Sequence, residues 1–123
     1  MNAVTESTRF SIPELNEGEI YAGAFIKPDG TGHHTIILPG DNDDADWQTQ
    51  MDWAKSLGGD LPDRVEQSAF YKYLPDHFQK DWYWSGEQRG SGSAWDQNFI
   101  IGYQYWGYTY YECRARAVRR VPI

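Results

Sequence analysis

Eleven of the twenty aromatic side chains in this sequence fall between Trp82 and Tyr111, interleaved with glycine, serine and glutamine. Short aromatic runs broken by Gly and polar turns suit an irregular antiparallel sheet and disfavour helix. Such a stretch also needs somewhere to bury rings, so the chain is not a disordered tail. At 123 residues it has one domain's worth of chain, and one core is enough to hold it. The lone cysteine, Cys113, excludes an intramolecular disulfide framework and any cysteine-based metal cluster within one chain. No apolar run of about 18 residues occurs, so no membrane-spanning helix is expected. The polar start, Met1 to Phe10, lacks the apolar stretch of a secretory signal. The expectation is a protein made in a cytoplasm and released, if at all, in a particle or by lysis.

Charge is split along the chain. The net charge is −7, yet residues 1–81 carry fifteen acids and six bases, whereas residues 82–123 carry three acids and five bases. Those five are Arg89, Arg114, Arg116, Arg119 and Arg120, with no lysine among them. An acidic chain is a poor general nucleic-acid binder, because neutralising phosphates supplies most non-specific affinity. Direct nucleic-acid contact is therefore not expected. Mimicry of a nucleic acid, or occupation of a partner's basic groove, stays open.

Local signals place the elements. Ile20–Ile26 reads as a strand, Pro28-Asp29-Gly30-Thr31-Gly32 as a reversal, and Thr35–Leu38 as the second strand of a hairpin. Asp41 to Asp46 superficially resembles a calcium loop. Its sixth and twelfth positions, Asp46 and Asp52, lack the glycine and glutamate that such a loop requires. It reads better as a solvated acidic loop whose last carboxylates favour a helix N-terminus. That helix spans about Asp46 to Leu57, with Trp47, Met51, Ala54 and Leu57 at helical spacing and Gly58-Gly59 as its stop. Asp63 and Glu66 form a capping-box pattern for a second helix, with Val65, Ala69 and Tyr73 as its inward stripe and Phe70 and Leu74 alongside. Pro75 ends it. A last strand, Cys113 to Val121, sets Arg114, Arg116 and Val118 against Ala115 and Ala117.

Catalytic chemistry finds no constellation. His33, His34 and His77 lie outside any nucleophile motif. Cys113 sits in an apparent strand and reads as packed core. No zinc spacing, phosphate loop or dinucleotide fingerprint occurs, so neither cofactor nor metal is expected and an enzyme is not indicated. What stands out is the run of rings after Gly102. Trp82, Trp84, Trp95 and Phe99 suffice for a small core. Tyr103, Tyr105, Trp106, Tyr108 and Tyr110 crowd around Gly107, and a turn cannot bury them all. They read as a ligand-facing surface, of the kind that Tyr and Trp build at low entropy cost.

The sequence resembles a phage and bacterial domain of unknown function that also closes collagen-like bacterial adhesins. Leu57–Gln67, Trp82–Gln88, Ala94–Phe99, Gly102–Gln104 and Arg114–Arg120 carry the match, in order, over about residues 18–121. Gly86 stands where a second serine is usual after Trp-Ser. The resemblance implies an α+β, C-type-lectin-like fold: two helices flanking irregular twisted antiparallel sheets. It implies one such domain over residues 1–123, with residues 1–17 as an N-terminal extension. Relatives with this fold include hypervariable receptor-binding proteins diversified by retroelements. Their variable positions, carried over here, fall near Asp96, Gln97, Asn98, Ile100, Ile101, Tyr103, Tyr105, Trp106, Tyr108 and Tyr110. Sulfatase-activating oxidases share the fold, but they need paired or copper-binding thiols that Cys113 alone does not supply. Lectin-type calcium signatures are missing as well.

Two functional readings follow. One is a non-catalytic module that binds a protein or glycan through Asp96, Gln97, Asn98, Tyr103, Tyr105, Trp106, Tyr108 and Tyr110. The other is an intracellular phage inhibitor of a host nucleic-acid-handling or defence complex, acting through its acidic surface. Either implies a location in the host cytoplasm or on the virion. Salt dependence separates them: charge-led binding weakens steeply with ionic strength, and ring-led binding does not.

Overall fold

The computed structural model describes residues 11–123; the polar start Met1 to Phe10 lies outside the described residues. Among the described residues the architecture is α+β, with two helices and two sheets. In chain order the elements are β1 (Ile20–Ile26), β2 (Gly32–Ile37), β3 (Asn42–Ala45), α1 (Trp47–Ser56) and α2 (Arg64–Tyr73). A 3-10 turn at Pro75–His77 leads to β4 (Trp82–Gly90), β5 (Ser93–Asn98), β6 (Gln104–Tyr108), β7 (Cys113–Ala115) and β8 (Val118–Pro122). No helix among the described residues is long and apolar enough to cross a membrane.

One sheet orders its strands β1-β2-β8, all antiparallel, so the expected hairpin lies beside the chain's last strand. The other orders them β3-β7-β4-β5-β6. It is mixed rather than wholly antiparallel, because β4 and β7 meet in parallel through Tyr83 and Arg114. The closing segment read as one strand is in fact two. It leaves the larger sheet after Ala115 and enters the smaller one at Val118. At the crossover the Leu38 N–H donates to the Ala117 carbonyl at 2.9 Å. Arg116 donates to the carbonyls of Leu38 at 3.0 Å and His77 at 2.8 Å.

Local capping signals set both helix starts. The Asp46 carboxylate accepts from the Thr49 N–H at 2.8 Å, and Asp63 with Glu66 forms a reciprocal capping box. The inward face of α2 differs from the expected stripe, since Val65 and Tyr73 are exposed. Glu66, Gln67 and Phe70 are the buried residues instead. Two polar side chains point inward because each finds distant partners. Gln67 donates to the Trp84 carbonyl at 3.1 Å. Glu66 accepts from Thr35, from His33 at 3.0 Å and from Arg120. Leu57, expected to close the stripe of α1, is likewise exposed, and Gln50 is buried in that helix. Gln50 donates to the carbonyls of Asp43 and Cys113 at 2.8 and 2.9 Å, which ties α1 to β3 and β7.

The core has two parts. Trp47, Ala54, Leu61, Trp84, Ala94 and Cys113 form one, with Met51 and Trp82 packed against it. Phe70, Phe78, Tyr83, Phe99, Ile37 and Val118 form the other. In the second, Phe78 and Phe99 stack at 4.2 Å and Tyr83 meets both edge-on. Truncating a fully buried ring such as Trp84 or Phe70 to alanine costs about 3–5 kcal/mol. Of the four rings assigned to the core, Trp84 and Phe99 are buried, whereas Trp82 and Trp95 are only half-buried. The Arg64 guanidinium covers Trp95 at 3.6 Å.

The acidic segment is not a free loop. Asn42–Ala45 is the edge strand β3, paired with β7. Asp41 accepts from Tyr83 Oη at 2.5 Å and from Arg114 Nε at 3.0 Å.

Candidate functional site

Strand register decides which rings share a face. Pairs Trp84–Asp96 and Trp82–Asn98 join β4 to β5, and Asp96–Tyr105 and Ala94–Gly107 join β5 to β6. Paired residues project to the same side of a sheet, and alternate residues along a strand share it. Trp82, Trp84, Asp96 and Tyr105 therefore occupy one face. Tyr83, Trp95, Gln97, Gln104 and Trp106 occupy the other, where α2 packs and Gln104 donates to the Arg64 carbonyl at 2.6 Å.

On the first face lies a cleft of about 670 Å³, walled by Trp82, Tyr103, Tyr105 and Tyr111 and also lined by Asp96, with Trp106 of the edge strand bordering it although its ring projects to the other face. From the cleft a chain of ring contacts runs across the edge strand. Trp82 meets Tyr105 edge-on at 6.4 Å, Tyr105 lies 6.2 Å from Trp106, and Trp106 meets Tyr108 at 5.7 Å. Tyr108 then stacks on Tyr110 at 5.5 Å and meets Tyr111 edge-on at 5.5 Å. Because β6 is the outer strand of its sheet, this chain wraps the sheet's edge. Solvent reaches 62% of Tyr103, 55% of Tyr105 and 72% of Tyr110, and Tyr108, Tyr111, Ile100 and Ile101 are exposed too. Contiguous exposed apolar surface of this kind marks interaction sites on soluble proteins.

Two glycines make the shape. Gly107 is buried, and a Cβ there would lie 3.0 Å from the Tyr111 ring and 3.4 Å from Trp84, so glycine lets Tyr111 close over the strand. Gly102 turns the chain into β6 at φ +89°, with the Tyr71 ring 2.6 Å from where a Cβ would stand.

Three expected surface residues are buried instead: Asp96, Gln97 and Asn98. Gln97 Nε2 reaches the carbonyls of Asn98 and Gly102 at 3.1 Å each, and its Oε1 accepts from Gln104 at 3.1 Å. Asn98 Oδ1 accepts the backbone N–H groups of Ile100 and Ile101 at 2.6 and 3.1 Å. Both amides brace the β5–β6 turn from inside, so they position the exposed rings rather than present themselves. Asp96 is different. It lines the cleft, and its Oδ1 has no hydrogen-bond partner among the described residues. Burial pushes its carboxyl up to about 6, against the Tyr105 backbone N–H that favours the charged form.

Tyr111 and Trp82 belong to the cleft although neither was singled out as binding from the sequence. For Tyr111 the clue was its place in the same aromatic run; for Trp82 only the register supplies one. Cys113 lines the cleft too but is buried, and burial pushes its thiol well above the usual range, leaving it a poor nucleophile. Two arginines extend the ring system: Arg64 over Trp95, and Arg89 over Trp106 at 4.0 Å. Among the described residues, no three His, Cys, Asp or Glu side chains gather as a metal site would require. No family model matches the chain, and no curated protein matches it either.

Proposed function

We propose that this protein is a non-catalytic binding module of phage type and C-type-lectin-like build, which engages a protein or glycan through the ring-lined edge of β6 and the adjoining cleft. The observation that carries the reading is the chain of rings from Tyr105 to Tyr111, exposed except for half-buried Trp106 and held outside a core that Trp84, Phe99 and Tyr83 already fill. Tyr and Trp give large contact area with little rotamer entropy to lose, which suits them to recognition. Buried amides beneath the turn fix the rings in advance, and preorganised contacts bind more tightly. Two helices, a sheet uniting the first described strand with the last, and an irregular second sheet support the C-type-lectin-like assignment.

Part of the acidic complement is engaged within the fold and does not belong to a free acidic face. Glu19, Asp41 and Glu66 are engaged by Arg119, Arg114 and Arg120, and Asp46 and Asp63 cap helices. Salt dependence of binding tests the proposal. After a partner is captured from host lysate and identified by mass spectrometry, its affinity should change little as ionic strength rises. A steep fall, which many exposed charge pairs produce and one shielded pair in the cleft does not, would move the function to the acidic face.

A further inference from the structure

One polar group in the cleft is more than a ring-lined surface needs. Asp96 is only 6% exposed, yet it lines the cleft with Oδ1 unpartnered among the described residues. Nearly all buried polar atoms are paired, and the exceptions call for a ligand, a water or a functional role. Asp81 and Glu112 add two more carboxylates to the lining, and no Lys, Arg or His stands among the described residues that line it. The guanidinium of Arg114, which follows the lining residue Cys113 in β7, is held by Asp41 at 2.9 Å and Asp43 at 3.3 Å. The cleft thus combines negative charge, aromatic faces and an unmet demand for an N–H donor.

Aromatic faces attract weakly hydrated cations, and a carboxylate beside them adds a charge-assisted hydrogen bond. The guanidinium answers all three features. It is planar, stacks on rings, stays charged and presents several N–H groups in a fixed fork. A quaternary ammonium has no N–H to give Oδ1. A neutral sugar leaves three carboxylates without a counter-charge. The protein itself twice lays arginine on indole, over Trp95 and Trp106.

We infer that the cleft receives an arginine side chain of a protein partner, its guanidinium packed against Trp82 and Tyr105 and donating to Asp96. This rests on reading the β6 edge as the binding face, and it narrows the partner from protein or glycan to a protein that displays arginine. A cleft of about 670 Å³ exceeds one guanidinium and accommodates residues flanking it. Because Asp96 ionises near pH 6, affinity should fall as pH drops through that value. The other titratable groups among the described residues lining the cleft are Asp81, Glu112, Cys113 and the tyrosine hydroxyls.

The test titrates the full chain with N-acetyl-arginine amide and, separately, with its neutral isostere N-acetyl-citrulline amide, following the Trp82 indole and cleft amides by NMR. The arginine probe should give saturable shifts at the cleft, with the citrulline probe weaker by about tenfold or more. Asp96→Asn should lower arginine affinity by a similar factor. Equal binding of the two probes, or tighter binding of N-acetyl-lysine amide, overturns the inference. Absence of shifts at the cleft overturns it too, as does unchanged affinity in a folded Asp96→Asn. If that variant does not fold, the arginine–citrulline contrast on the unaltered chain decides alone. Should arginine be ignored while Tyr105, Trp106 and Tyr108 still prove necessary for the captured partner, this inference falls and the aromatic face stands. If the partner is kept without those rings, the broader reading falls first.

Discussion

Arg120 clamps Glu66 with two hydrogen bonds, Nη2 to Oε1 at 2.6 Å and Nε to Oε2 at 2.9 Å. The pair joins β8 to α2 across 54 residues of sequence, with the Glu66 side chain fully buried. Removing one member of a buried pair leaves the other charge uncompensated, at a cost of about 3–5 kcal/mol. Arg120→Ala should therefore lose stability on that scale in urea unfolding. A loss below about 1 kcal/mol would mean that solvent reaches Glu66.

The same carboxylate gives stability a pH signature. Burial pushes Glu66 up, but hydrogen bonds from Arg120, Thr35 and the Asp63 capping pair outweigh it and hold the folded pKa below the ordinary range. A depressed folded pKa contributes stability that is complete above the unfolded value, about 4.3 for Glu, and lost as pH falls through the folded one. The stability gap between the unaltered chain and Glu66→Gln should be widest near neutrality and narrow as pH falls below about 4. A gap independent of pH would contradict this.

Asp96 carries the opposite sign. With its folded pKa raised to about 6, the folded state binds its proton more tightly than the unfolded chain does. Stability attributable to this group is therefore lost as pH rises between about 4 and 6, by up to about 2–3 kcal/mol. Asp96→Asn should melt at or above the temperature of the unaltered chain at about pH 7.5, with the advantage gone near pH 4. A variant less stable at both pH values would make Asp96 a structural residue. Keeping a carboxylate that costs stability fits a residue retained for binding.

Arg116 serves the crossover between the sheets. Its two hydrogen bonds to the Leu38 and His77 carbonyls hold the segment that passes from β7 to β8. Arg116→Ala should cost about 1–3 kcal/mol, since the Leu38 and His77 carbonyls both lose a charged donor. An unchanged melting temperature would show that Leu38 and His77 find other partners.

Signals that were local proved legible in the sequence. Ile20–Ile26 is the strand its composition indicated, and Asp46 and the Asp63–Glu66 pair start the two helices where capping chemistry places them. What was not legible depends on partners far along the chain. Nothing local marks Glu66 and Gln67 as buried; their burial depends on Arg120, Thr35 and the Trp84 carbonyl being brought to them. Cys113 to Val121 looked like one strand because nothing nearby records that two sheets divide it. Within the candidate site, the exposure of Tyr103, Tyr105, Tyr108 and Tyr110 followed from crowding around a glycine, whereas Trp106, read with them as surface, is half-buried with Arg89 over its ring. The inward turn of Gln97 and Asn98 did not, because it depends on carbonyls of a turn whose path is set by Gly102. Asp96 shows the same limit: only the β5–β6 register brings it beside Tyr105.

The measurement that bears most directly on the account is a paired one on the triple variant Tyr105→Ala, Trp106→Ala, Tyr108→Ala. Its melting temperature and its capture of the partner should be read side by side with the unaltered chain. Tyr105 and Tyr108 are exposed and Trp106 is half-buried at the sheet edge, so the variant should melt near the original temperature. Loss of central aromatic contacts costs about 2 kcal/mol or more of binding, roughly thirtyfold, so capture should fail. A variant that unfolds would make these rings core. A variant that stays folded and still captures the partner would place binding elsewhere on the molecule and contradict the central claim.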